Sequence, residues 1–401
     1  MGLKNRKEEY NSYGFLKEGE DFKKFVFPNK MNIGEPYEVS LSKSEEERLI
    51  KLLKDNVYIS LHEHPTVAPE DMSKFLDYVY HGREWTPYDW LSSCYYDAIF
   101  DNFKDGTSMI TSKSGWKWND IIYDLGHRFA DIAHQDFVFI GQSIEDIEKA
   151  HNEGRIALIP ALESCTPIEN EVDRLDILYG MGVRMMGVVY SESNNLGTGL
   201  KEEKDGGLTY FGQAAVERMN KLGMAIDVSH ASDQTCLDTF ETSSDPIFIT
   251  HAGARSLWES NRLKPDDVLK ACVEDKGVIG IEAAPHTTVT KEHPKHSIES
   301  FMEHFEYIVD MVGIDYVSFG PDTLYGDHVA LHDFFASNLS TDSSTTKKGS
   351  KPKKVRYVKG LENPTEASHN IIRWLIKNGY SNKEIEKVIG GNTLRALERI
   401  W

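Results

Sequence analysis

The sequence predicts an α/β chain folded as an eight-stranded, TIM-like (β/α)8 barrel. Short β-branched runs alternate along it with amphipathic stretches of helical period, the pattern of a parallel sheet wrapped by helices. The runs are near-continuously apolar, as strands covered on both faces require. The length, 401 residues, suits one barrel with insertions as well as two average domains.

The eight runs are VYISL (57–61), FVFI (137–140), IALIPAL (156–162), VRMMGVV (183–189), MAIDVS (224–229), IFIT (247–250), VIGIEA (278–283) and YVSFG (316–320). Residues 1–50, polar and punctuated by aromatics and Pro, read as an N-terminal arm, and 51–401 as one barrel domain. The segment 208–223 places Phe211, Ala214, Ala215, Met219 and Leu222 on one helical face. The helix of 265–277 opens on Pro265 and stops at Gly277. Segments 365–379 and 382–400 form a final helical pair, with Asn392 as a cap after Gly390-Gly391. Two long insertions, 66–135 after strand one and 323–360 after strand eight, leave strand C-terminal ends and so overhang the mouth of a barrel. The composition of the second reads as mobile.

Asp+Glu 64 against Lys+Arg 45 gives a formal net charge of -19, which repels phosphate backbones and argues against nucleic acid as a partner. The Lys-rich stretch 347–354 sits among Ser and Thr and reads as a solvated loop. Four scattered cysteines, Cys94, Cys165, Cys236 and Cys272, give neither a disulfide framework nor a zinc knuckle. No run approaches the roughly 18 apolar residues of a membrane span, and no signal-peptide core or lipid-anchor pattern is present. A cytoplasmic chain without a membrane anchor is the expectation.

Catalytic groups of a β/α barrel gather at strand C-terminal ends. Those ends carry His62 and His64 after run one, Glu163 after run three, His230 after run five, His251 after run six and Asp322 after run eight. A lone histidine after a strand is most often a packed core residue; six metal-competent groups at the ends of one barrel are harder to dismiss. Imidazoles at i and i+2 point the same way along a pleat and reach one ion. A carboxylate such as Glu163 has two oxygens and can bridge two ions, with His230 and His251 completing the second. Two ions about 3.5–4 Å apart can hold a hydroxide and polarise a carbonyl oxygen. Asp322 is then placed to take the proton and pass it to a leaving amine. Glu63, between the two histidines, points away from them as a supporting or core polar group. His328 and His332, in a polar insertion, read as exposed. His286, His293, His296, His304 and His369 read as structural or solvent-facing. Trp85, Tyr88 and Trp90 either line the mouth or pack the insertion.

LTYFGQAAVERMNKLGMAIDVSHAS (208–232), ITHAGARSL (249–257), SNRLKPDD (260–267), IALIPALES (156–164), VGIDYVSFGPD (312–322) and IEKVIGGNTLRALE (385–398) together resemble the renal (membrane) dipeptidase family of the metal-dependent amidohydrolase superfamily. The resemblance covers most of 55–400. It implies a homodimeric hydrolase of dipeptides or similar small amides bearing a free carboxylate, with two divalent ions, zinc by ligand type. It assigns His230 and His251 to metal, Glu163 to the bridge, Asp322 to acid–base work and Arg262 to the substrate's terminal carboxylate. Arg262 read without it is an ordinary helix-capping arginine, and Tyr190 a core tyrosine.

Three departures stand out. His64 replaces the family's usual Asp, making the site one charge more positive. Tyr190 stands where characterised animal enzymes have a histidine to steady the substrate carbonyl. Pro321-Asp322-Thr323-Leu324-Tyr325-Gly326 replaces the usual Ser-Asp-Phe-Asp-Gly. They leave open hydrolysis of another small amide, such as an N-acyl amino acid or a cyclic amide. His-x-His also occurs in single-ion decarboxylases of the superfamily. A degenerate, non-enzymatic barrel is the remaining alternative, and the intact ligand set argues against it.

Overall fold

The computed structural model describes residues 6, 10–102, 117–338 and 352–401. Ten strands form one sheet: β1 (Ile59–Val67), β2 (Ala98–Asn102), β3 (Val138–Ile140), β4 (Ile156–Leu162), β5 (Met185–Gly187), β6 (Ala225–Asp227), β7 (Phe248–Ala252), β8 (Val278–Ile281), β9 (Val317–Phe319) and β10 (Leu324–Tyr325). The hydrogen-bonded order is β10-β1-β2-β4-β5-β6-β7-β8-β9, with β3 off this path on β4. Every pairing is parallel. β10 begins a few residues after β9, so the two ends of the path belong to one stretch of chain and the sheet closes on itself. Asp322 N–H donates to His62 O at 3.0 Å and His64 N–H to Thr323 O at 2.9 Å, stitching that seam. This is the (β/α)8 architecture the sequence predicts.

The identity of strand two differs from the sequence pattern. AIFDN, inside what reads as the insertion 66–135, is the second barrel strand, and 66–135 is therefore two separate connections around it. Its apolar run is only three residues long because Asp101 and Asn102 face polar partners. Asp101 lies 2.6 Å from the buried Arg128, and Asn102 reaches His62. FVFI does form a strand, but β3 pairs only with the first half of β4, on the edge whose last residues pair with β5.

Alternation along the strands fills the interior. Ile59 and Leu61 of β1, Ala98 and Phe100 of β2, and Ala157, Ile159 and Ala161 of β4 share one buried cluster with Met185, Ala225, Phe248 and Val278. The intervening residues, such as Ile99, Ile156, Leu158 and Leu162, pack outward against the helices. Packing both faces of each strand explains the unbroken apolar runs. Ala396, Leu397 and Ile400 of the last helix join the inner cluster and close the end where the strands begin. That end is thereby a plug, and the functional groups are left to the other.

The helix Tyr210–Leu222 is capped by Thr209, stops at left-handed Gly223, and buries Gly212, Ala215, Val216 and Met219. Ala214, expected inside, is exposed; the buried stripe is rotated by about a fifth of a turn and keeps Ala215 and Met219. The helix Asp266–Glu274 ends three residues before Gly277. The final segment runs Asn382–Glu386, a π-helical turn Lys387–Gly391, and Asn392–Ile400. Asn392 is therefore helical and not a cap. Its Nδ2 donates to Ile314 O and Val317 O, each at 2.8 Å, and ties the helix to β9. Gly390 permits the close approach, since a Cβ there would collide with the Val57 carbonyl.

The helix Lys43–Asp55 runs through residue 50, where the sequence pattern ends the arm. The preceding chain is tied down by carboxylates: Asp131 accepts from Tyr10, Ser12 and Tyr13, and Glu366 accepts from Tyr37 N–H at 2.9 Å. Tyr88 packs inward with its hydroxyl on Asp131, while Trp85 stacks on Phe27 and Trp90 tilts against Tyr325. His328, expected exposed, is buried at the start of the helix His328–Asn338. Most of the Lys-rich, Ser/Thr-rich stretch, 339–351, lies outside the described residues, as does 103–116. No helix among the described residues is long and apolar enough to cross a membrane.

Asn392→Ala removes both side-chain donors from buried carbonyls and is expected to cost about 1–3 kcal/mol. Urea unfolding measures it, and a change below about 0.5 kcal/mol would show that this clamp is idle.

Candidate metal centre

β1 supplies two of the predicted groups from within the strand. The register of β1 against β2 shifts between Ser60 and Glu63, which breaks the alternation that turns Ile59 and Leu61 inward. Beyond the shift His62 and His64, two residues apart, share the inward face while Glu63 turns outward. There Glu63 accepts from Thr323 N–H and Oγ1–H, each at 2.7 Å. Burial pushes the Glu63 carboxyl up to about 8, against the pull of those Thr323 bonds.

Glu163 follows β4, and its two oxygens face different partners. Oε1 lies 3.7 Å from His62 Nε2 and 3.3 Å from His64 Nε2, and Oε2 lies 3.1 Å from His230 Nε2. His230 Nε2 and His251 Nε2 are 2.9 Å apart. Asp322 closes the first group, with Oδ1 3.5 Å from His62 Nε2 and 3.2 Å from His64 Nε2. Ligand atoms of His62, His64 and Asp322, and separately of Glu163, His230 and His251, lie within 4.8 Å of one another. All six predicted groups thus converge at the C-terminal mouth.

Burial alone would drive both carboxyls toward neutrality. The facing imidazoles outweigh it and hold Asp322 and Glu163 well below the usual carboxylate range. Burial lowers His230 to about 4 and, with the nearby charge of His62, takes His251 well below the usual histidine value. Neutral imidazoles are the form that binds metal; His62, which burial would lower but Asp322 and Glu163 raise to about 9, would give up its proton to a bound cation. His62 Nε2 is buried with no hydrogen-bond partner, although donors and acceptors surround it. An orphaned ring nitrogen aimed at two carboxylates is what a cation would satisfy, so the residues present fit divalent metal.

Outer partners orient these rings. Asp227 accepts from Ser229 and from Thr250, whose Oγ1 stands 2.7 Å from His251 Nδ1. An imidazole held at Nδ1 presents Nε2 inward. Asn102 does the same for β1, its side chain 2.9 Å from His62 Nδ1 and its carbonyl 3.2 Å from His64 Nδ1. The Tyr190 ring stacks on His230, centroids 4.2 Å apart and planes 22° from parallel. Asp322 has φ 55, a left-handed conformation uncommon outside glycine and found at functional sites.

Arg262 is buried beneath the second group of ligands. Its Nη2 donates to His251 O at 3.0 Å and its Nη1 to Ser229 O at 3.3 Å, and Nη2 pairs with Glu282. Sequence reasoning missed Glu282, Asp227 and Asn102. Glu282 follows β8 directly, so the strand-end rule that singled out Glu163 would have found it had it been applied to carboxylates at every strand. Asn102 required recognising β2.

The model of the membrane dipeptidase family (peptidase family M19) matches residues 122–333, more than half of the chain. The chain belongs to that family. Among curated relatives, dipeptidase aclJ of Aspergillus oryzae (strain ATCC 42149 / RIB 40) is 27% identical over 279 residues, 68% of this chain and 59% of its own length. Dipeptidase tcpJ of Claviceps purpurea (strain 20.1) is 24% identical over 279 residues, 69% and 58% respectively. The matched part of this dipeptidase-family chain therefore spans well under two thirds of either relative. A solved amidohydrolase from Pseudomonas aeruginosa shares the fold, with TM-score 0.68 at 22% identity, covering 88% of this chain and 98% of that one.

Thr250→Val keeps the shape of the strand but removes the group that orients His251. It is expected to weaken zinc affinity about 10–100-fold in a chelator-competition titration; unchanged affinity would remove Thr250 from the support of the site.

Proposed function

We propose that this member of the membrane dipeptidase family is a hydrolase using two divalent metal ions to cleave dipeptides or dipeptide-like small amides. The observation that carries the reading is the Glu163 carboxylate, with one oxygen toward the His62–His64 pair and the other toward His230. His62, His64, Asp322 and Glu163 Oε1 would hold one ion; Glu163 Oε2, His230 and His251 would hold the other. Histidine and carboxylate donors suit zinc. Such ions, when bound, polarise an amide carbonyl and lower the pKa of water to about 7.

Asp322 does the proton work. Its side chain is 14% exposed, against 3% for Glu163, so it is the carboxylate of the pair with access to the open mouth. It accepts a proton at a carboxylate oxygen and returns it to the leaving amine nitrogen. The Tyr190 phenol, held by stacking on His230, donates a neutral hydrogen bond to the substrate carbonyl oxygen where a histidine would donate a charged one. The resemblance gives Arg262 a free substrate carboxylate. Its ion pair with Glu282 favours a second reading, a small amide whose far end is uncharged, of which a cyclic amide is one form.

Asp322→Asn is expected to retain two metal ions per chain by elemental analysis while kcat falls about 10²–10⁴-fold; full activity would end the acid–base assignment. Glu163→Gln is expected to drop the metal content to one ion or fewer with loss of turnover. One ion per wild-type chain and a harmless Glu163→Gln would point instead to single-ion decarboxylation.

A further inference from the structure

We propose that Glu282 is a specificity-determining residue: by occupying Arg262 at the mouth of the barrel, it turns away substrates with a free carboxylate at that end and selects an uncharged amide group. This rests on the amide-hydrolase reading above and narrows its substrate class.

Glu282 stands directly after β8, the seventh strand of the closed barrel, and is fully buried. A ligand oxygen of its carboxylate lies within 4.8 Å of donor atoms of both His251 and Asp322, so it borders the reacting centre. It is poorly placed as a metal donor, because the Arg262 guanidinium faces its Oε2 and repels a cation there. Oε1 is buried without a hydrogen bond of ordinary geometry. Arg262 is itself only 1% exposed, and its bonds to the His251 and Ser229 carbonyls fix the guanidinium between two strand ends. It cannot swing out to meet a ligand elsewhere.

A substrate carboxylate arriving at this pair meets one guanidinium already shared with a carboxylate. It must either sit against Glu282 as a like charge or displace it, leaving a buried carboxylate with no counter-charge. An amide group has no such conflict. Its carbonyl oxygen accepts from a guanidinium N–H and its N–H donates to Oε1, so the donor–acceptor pair of the protein matches the acceptor–donor pair of the ligand. A carboxamide terminus and the second peptide bond of a cyclic dipeptide both present this edge.

The test uses the full chain, zinc-loaded, and two probes: alanyl-alanine and alanyl-alaninamide. Burial pushes the Glu282 carboxyl up to about 8 against the pull of Arg262. Binding is therefore measured by calorimetry at about pH 9, where that carboxyl is charged, in the Asp322→Asn background, where turnover does not interfere. It is measured with and without Glu282→Gln, which keeps the side-chain shape and removes that charge. The amide is expected to bind at least about tenfold tighter than the acid, and Glu282→Gln to erase or invert that ratio. In turnover by the otherwise native enzyme the same change should appear in KM and not in kcat. A merely structural role for the pair would shift Tm or weaken both probes alike and leave the ratio untouched. Tighter binding of the acid, an unchanged ratio in Glu282→Gln, or no binding of either probe overturns the assignment. Intact binding preference with no turnover of either probe by the wild type would refute the hydrolase reading and leave Glu282 in its role.

Discussion

One carboxylate organises the mouth of this barrel. Glu163 presents its two oxygens to imidazoles from opposite sides, His64 at 3.3 Å and His230 at 3.1 Å, and a carboxylate that deeply buried is tolerable only because those rings surround it. Asp322 repeats the arrangement on one side, facing His62 and His64. Six polar groups packed into one buried space would repel or starve one another in any other arrangement. The barrel brings them to a common point because strands of one parallel sheet all end at the same mouth.

Rings that converge must also be aimed, and here the outer partners matter as much as the converging groups. Asp227 gathers Ser229 and Thr250 from two neighbouring strand ends, and through Thr250 it reaches the far nitrogen of His251. Asn102 performs the corresponding service for β1 from the neighbouring strand. The Asp227–Thr250 contact and both Asn102 contacts cross between adjacent strands, so the register of the sheet is also the register of the site. The seam where β1 meets the chain after β9 is the clearest case, since the same backbone bonds that close the barrel seat Asp322 beside His62.

The Arg262–Glu282 pair adds a second charged layer under the His230–His251 side. Arg262 draws together the ends of three consecutive strands, through Ser229, His251 and Glu282, so it braces the site while bordering it. Its charge is already matched within the protein. A resemblance can transfer the arginine; it does not transfer what the arginine is bonded to, and that partner decides what the arginine can offer a ligand.

Local pattern by itself determined the architecture and the six convergent groups. Apolar runs covered on both faces announce a parallel barrel, an i, i+2 histidine pair needs only the pleat of one strand, and a ligand after a strand needs only the rule that barrels work at that end. Through-space packing decided the rest. AIFDN is a strand because Arg128 and His62 meet its polar residues, and FVFI lies beside the barrel because β5 takes the end of the β4 edge. His328 is buried and Asn392 clamps β9 for reasons that sit many residues away. Above all, Arg262 and Glu282 belong to different connections, and no periodicity links them. Their contact exists only once the strands stand side by side, which is why the six converging groups were legible in the sequence and the charged pair beneath them was not.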